Sequence, residues 1–158
     1  MDLKPLLILL NENTRGHIVQ SRGIRDRMQR LADFEAVEFD IPHLNGAARI
    51  KALKLRARRL PKASPQGAER WLLRAGGKEL LDRVAMLNPE RRSLLFLSAG
   101  STAAPYCLAL AKRFNGKSCV VMTPSVLGTK PFDMAVVPKH DGRRGGNVLA
   151  TLGAPNSI

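Results

Sequence analysis

The sequence predicts an α/β domain of the Rossmann-like, doubly wound type, built on a mostly parallel sheet. Three observations carry this. Short apolar runs alternate with amphipathic helical stretches along the chain, the pattern of strands joined by helical crossovers. The first run, Leu6 to Leu10, is apolar without a break, as a strand covered on both faces must be. The 158 residues, 44% of them apolar, suffice for one buried core without help from disulfides or metal.

The opening MDLKPLLILLNEN resembles a signal peptide only superficially. Its apolar run is short, an acid stands at position 2, and no small-residue cleavage site precedes Asn11 and Glu12. It reads as a buried first strand. After loop 11–16, His17 to Leu31 sets Ile18, Ile24, Met28 and Leu31 on one helical face with arginines elsewhere. Ala36 to Ile41 is a second strand closed by Pro42. Ala47 to Leu60 is a basic helix that Pro61 is expected to end, and 61–67, with two prolines and a glycine, reads as a linker. Helices are expected at 68–75 and 78–87, broken by Gly76-Gly77. Ser93 to Leu97 is a strand, and Thr102 to Phe114 a helix closed by Asn115-Gly116. Pro105 falls in that helix's first turn, where its missing N–H costs nothing. Strands at 118–122, 132–137 and 147–151 complete the sheet.

Composition narrows the function classes. Cys107 and Cys119 have neither CxxC nor zinc-ligand spacing, so they read as reduced core residues in a reducing, cytoplasmic compartment. No segment approaches the roughly 20 apolar residues of a membrane span. The formal charge of +13 favours polyanionic partners. It is concentrated: between Asp40 and Glu69 there is no acid, while Arg49, Lys51, Lys54, Arg56, Arg58, Arg59 and Lys62 supply seven cations. Within that stretch Ile50, Leu53, Ala57 and Leu60 form a narrow apolar stripe. It can pack on the sheet, or it can enter the surface of an anionic membrane while the cations meet phosphates. Nucleic acid is the weaker partner, because one Trp and one Tyr leave little to stack on bases.

In a doubly wound sheet, ligands bind beyond the carboxyl ends of the strands. Four loops leave those ends here. In the first, Asn13, Arg15 and Gly16 lead into a helix whose N–H groups and dipole favour anions, with His17 and Gln20 on its first turns. In the second, Gly100 permits close approach, Ser101 can cap the next helix, and Thr102 adds a hydroxyl beside free N–H groups. The third contains Pro124. The fourth sets His140 beside Asp141, which suits proton transfer or a hydrogen-bonded turn. His43 stands alone in a loop and reads as solvated. No metal site is predicted, and without GxGxxG or a P-loop no nucleotide cofactor is either.

RGHIVQSRGI, SAGSTAAPYCLALAKRF, PFDMAVVPKHD and GGNVLATLGAPN, in that order, resemble the mitochondrial-fission ELM-like family over nearly the whole chain. That family looks like glycosyltransferases of the two-Rossmann-domain (GT-B) type. The resemblance implies an N-terminal domain that binds a sugar- or phosphate-bearing acceptor at the cytosolic face of a membrane. It places His17, His140 and Asp141 as catalytic candidates, with Arg15, Gly16 and Gln20 in the first loop. It also implies that the donor-binding second domain lies outside this chain, which alone would be inactive. The rival from another class is a non-catalytic adaptor. Asn-Thr-Arg stands here where relatives carry a proline before Gly-His.

Overall fold

The computed structural model describes residues 3–138 and 146–151. Among them, the strands are β1 (Leu6–Asn11), β2 (Glu35–Asp40), β3 (Leu94–Ala99), β4 (Lys117–Val121), β5 (Met134–Pro138) and β6 (Val148–Thr151). The helices are α1 (Arg15–Gln29), α2 (Ala47–Arg56), α3 (Pro65–Arg74), α4 (Lys78–Ala85) and α5 (Ala103–Phe114). One sheet holds the strands in the order β2-β1-β3-β4-β5-β6, and every neighbouring pair is parallel. The chain is thus a single α/β domain with a Rossmann-like sheet.

The alternation of side chains along the strands divides the core. Leu6, Ile8, Leu10 and Phe96 face one side, where α2 to α5 cover them; Leu7, Leu9, Leu97 and Val121 face the other, where Ile24 and Met28 of α1 pack. Helix α5 is buried without interruption from Ala103 to Ala111, because α3 covers the flank the sheet leaves open. Tyr106 fixes that contact: its ring meets Trp71 edge-on at 5.3 Å and its hydroxyl donates to the Ala75 carbonyl at 2.6 Å. Cys107 and Cys119 are free and buried, and burial pushes both thiols up to about 12.

Several expectations need correction. Leu31 does not join the buried face of α1; the helix stops at Gln29 and the side chain is 87% exposed. Pro61 does not end the basic helix. α2 stops at Arg56, and residues 57–62 continue as a 3-10 helix through Pro61, whose fixed φ suits that winding. The linker is shorter than expected, because Ser64 caps α3 by accepting from the Gly67 N–H at 3.0 Å. β5 begins at Met134, since the Phe132 N–H closes a turn on the Thr129 carbonyl while its ring enters the core.

The lipid-facing reading of the apolar stripe is also overturned. Leu53, Ala57 and Leu60 all belong to the core cluster beneath the sheet, at 6%, 0% and 1% exposure. Side chains committed to the protein's own core are not available to a bilayer.

Candidate functional site

Strand order locates the site. From β1 the chain passes through α1 to β2 on one side; from β3 it passes through α5 to β4 on the other. The loops after β1 and β3 therefore diverge, and a crevice opens between them at the topological switch point.

Glu12 occupies that crevice. It directly follows β1, is buried, and aims its carboxylate across the gap at the start of α5. Oε2 accepts the backbone N–H groups of Thr102 and Ala103, both at 3.1 Å, while Oε1 pairs with Nδ1 of His17. A carboxylate there complements the positive end of the helix dipole. Gly100 makes this approach possible. Its φ is +101°, and a Cβ in its place would lie closer than 3.0 Å to both the Glu12 carboxylate and His17 Nδ1.

This arrangement revises the reading of the second loop. The N–H groups beside Thr102 are not free, and Ser101 does not cap the helix. Its Oγ instead accepts the Ser125 N–H at 2.8 Å, tying the β3–α5 loop to the loop after β4. Pro124 lies in that same loop, where its carbonyl accepts the Gly128 N–H at 3.0 Å.

Beside Glu12 lies an open cleft of about 360 Å³. Asn11, Asn13, Thr14 and Thr102 form its polar wall together with Glu12, and Asp40 and His43 come from the end of β2 and the segment after it. Ile18, Ile41, Leu44 and Ile50 provide apolar surface, and among the described residues no lysine or arginine lines it. A second cleft of about 290 Å³ shares Asp40 to His43 and is closed by Gly76, Glu79, Leu80 and Arg83.

Of the predicted first-loop residues, the structure brings Asn13 to the cleft and His17 to Glu12. Arg15 and Gly16 are exposed at the start of α1, and space is open around Gly16. Gln20 is half-buried, and its Oε1 has no partner among the described residues. His140 and Asp141 lie outside the described residues. Glu12, Asn11 and Asp40 were not singled out from sequence. Glu12 had one signal, an acid two places beyond the apolar run Leu6 to Leu10 and five residues before a histidine. Among the described residues no cluster of His, Cys, Asp or Glu has a metal-binding arrangement.

Residues 15–158 match the family described as Mitochondrial fission ELM1. The chain belongs to that family. No curated protein and no solved structure matches it.

The charge distribution of this ELM1-family chain has its own geometry. Arg22, Arg25, Arg83, Arg92 and Arg113 are each paired with a carboxylate. The seven cations of residues 49–62 form no ion pair with any described residue, and all but the half-buried Lys54 are exposed. Leu53, Ala57 and Leu60 of the stripe face the core, Ile50 lines the cleft, and the exposed cations remain in solvent. No described helix is long and apolar enough to cross a membrane.

Proposed function

We propose that this ELM1-family chain is the acceptor-binding domain of a glycosyltransferase-like protein that works at an anionic membrane surface. The cleft at the switch point carries this reading: it joins hydrogen-bonding groups to apolar surface in the place where doubly wound sheets take ligands. The basic segment supports the membrane half of the proposal. Seven cations that pair with no described residue supply a surface for anionic headgroups, and docking there requires no inserted leucine.

A vesicle assay tests it. The chain should bind phosphatidylglycerol vesicles, and binding should fall as salt rises, because exposed charges are screened over about 8 Å at physiological ionic strength. Replacing Arg56, Arg58 and Arg59 with Gln removes three contributions of roughly 1 kcal/mol each, weakening binding about a hundredfold. Equal affinity for uncharged vesicles sinks the membrane half, and preference for duplex DNA at physiological salt promotes a nucleic-acid role.

The rival reading, a non-catalytic adaptor, draws on the family description and on the same basic surface. It predicts vesicle binding with no saccharide contact in the cleft.

A further inference from the structure

We propose that the switch-point site takes the hydroxyl groups of a neutral, sugar-like ligand and rejects free phosphate, because Glu12 seals the start of α5 and fixes the His17 proton on Nδ1. The inference rests on the reading of the cleft as an acceptor site and names the chemistry that it recognises.

An uncovered helix N-terminus beside a glycine loop attracts phosphate through its free N–H groups. Here the Thr102 and Ala103 N–H groups already bind Glu12 Oε2, and Glu12 is only 9% exposed. A phosphate would have to expel one buried carboxylate while approaching a second, Asp40, which makes no ion pair with a described residue. Among the described residues no lysine or arginine lines the cleft to offset that repulsion. Carboxylate oxygens accept hydrogen bonds and do not donate them, so the matching ligand brings donors. Hydroxyl groups do so without charge, and the apolar wall suits the C–H faces of a sugar ring.

Asn11 points to the same class independently. It lines the cleft at 7% exposure, and its Nδ2 donates to Glu38 Oε1 at 2.9 Å, yet its Oδ1 has no partner among the described residues. A buried carbonyl oxygen in a cleft wall calls for a donor that the described residues do not supply, and a ligand hydroxyl in the cleft is one.

His17 adds an acceptor through its pairing with Glu12, which lines the cleft. Glu12 Oε2 is committed to α5, and Oε1 faces Nδ1, so the imidazole must be the donor in that pair. An uncharged imidazole that donates from Nδ1 keeps its lone pair on Nε2, which has no partner among the described residues. Glu12 is thus a positioning residue for His17 as well as a wall of the cleft.

Nitrogen-15 NMR of the whole chain at mildly alkaline pH tests this, with methyl α-glucopyranoside, N-acetylglucosamine and inorganic phosphate as probes. In the unsubstituted chain His17 should carry its proton on Nδ1. Either sugar at millimolar concentration should shift the Asn13, Thr14 and Thr102 amides, and phosphate should leave Thr102 and Ala103 unmoved. Glu12→Gln keeps an oxygen for α5 but turns an NH₂ toward His17. The ring proton should move to Nε2, and sugar affinity should fall about tenfold, the loss of one hydrogen bond. Glu12→Ala uncovers the N–H groups and should gain a phosphate response; if it does not fold, Glu12→Gln decides. A phosphate shift at Thr102 in the unsubstituted chain, a proton on Nε2 there, or unchanged sugar affinity in Glu12→Gln overturns this inference and leaves the acceptor reading standing. Sugars that move no cleft amide overturn both.

Discussion

Glu38 collects donors from two elements: Asn11 Nδ2 at 2.9 Å, Arg22 Nε at 3.0 Å and Arg25 Nη1 at 3.2 Å. Burial by itself would raise its carboxyl, but the hydrogen bonds from Asn11 and Arg22 and the charges of Arg22 and Arg25 outweigh it, so the group is held below the ordinary range. A depressed folded value means that this stabilisation is complete above the unfolded-state value, about 4.3, and is lost as pH falls through the folded one. The Glu38→Gln variant should therefore be less stable than the parent at neutral pH, with the gap closing on acidification. Thermal melts of the two chains across the acid range check this; a gap that widens toward low pH contradicts it. The network also shows what sequence reading can miss. Arginines along α1 look like a solvated helix face, and only β1–β2 pairing, which sets Asn11 beside Asp40 and leaves Glu38 within reach, reveals what Arg22 and Arg25 hold. Glu12 was harder still, because its donors belong to residues 90 and 91 positions away. The flanking glycine at 100 was legible as a point of close approach. That the approaching group would be the protein's own carboxylate was not.

Helix α2 and the 3-10 segment after it separate two tasks along one stretch of chain. Leu53 and Leu60 serve the core, while the cations between and beside them serve the surface. Truncating Leu53 or Leu60 to Ala should cost about 2–5 kcal/mol each, as buried leucines lost from a packed core do. Replacing Arg56, Arg58 and Arg59 with Gln should change stability by no more than about 0.5 kcal/mol, since exposed charges without partners contribute little. Denaturant unfolding of both sets checks the division. A leucine variant that keeps full stability would return the stripe to the membrane surface. The helical period of 50, 53, 57 and 60 was readable, because an apolar stripe on a basic helix is unmistakable. Its target was not, because a sheet and a bilayer ask for the same stripe. Element ends were the other weak point. Pro61 is a strong stop signal for an α-helix, yet a 3-10 helix passes through it, and Phe132 is as apolar as a strand residue while sitting in a turn.

For the molecule as a whole, fold class was the most legible property, because it follows from alternation and apolar runs that many residues share. The continuous run of β1 requires cover on both faces, and the structure provides it, with α1 on one side and α2 to α5 on the other. Strand order was not legible, since the sequence does not say beside which strand the chain returns after its long excursion from 41 to 93. That excursion has a kinetic consequence. β1 cannot meet β3 until a loop of some eighty residues has closed, and such closures are slow to be rewarded. The Glu12 clasp on α5 requires the strand pairing beneath it, so it should form after the rate-limiting step. Removing it with Glu12→Gln should then accelerate unfolding and leave the refolding rate nearly unchanged. Stopped-flow rates across a denaturant series separate the two limbs, and slowed refolding would instead put the clasp in the folding nucleus. On this account the last contact to close during folding is the one that shapes the site, and the first to open under stress. The crevice would then act as a latch: local opening exposes α5 before the sheet itself gives way.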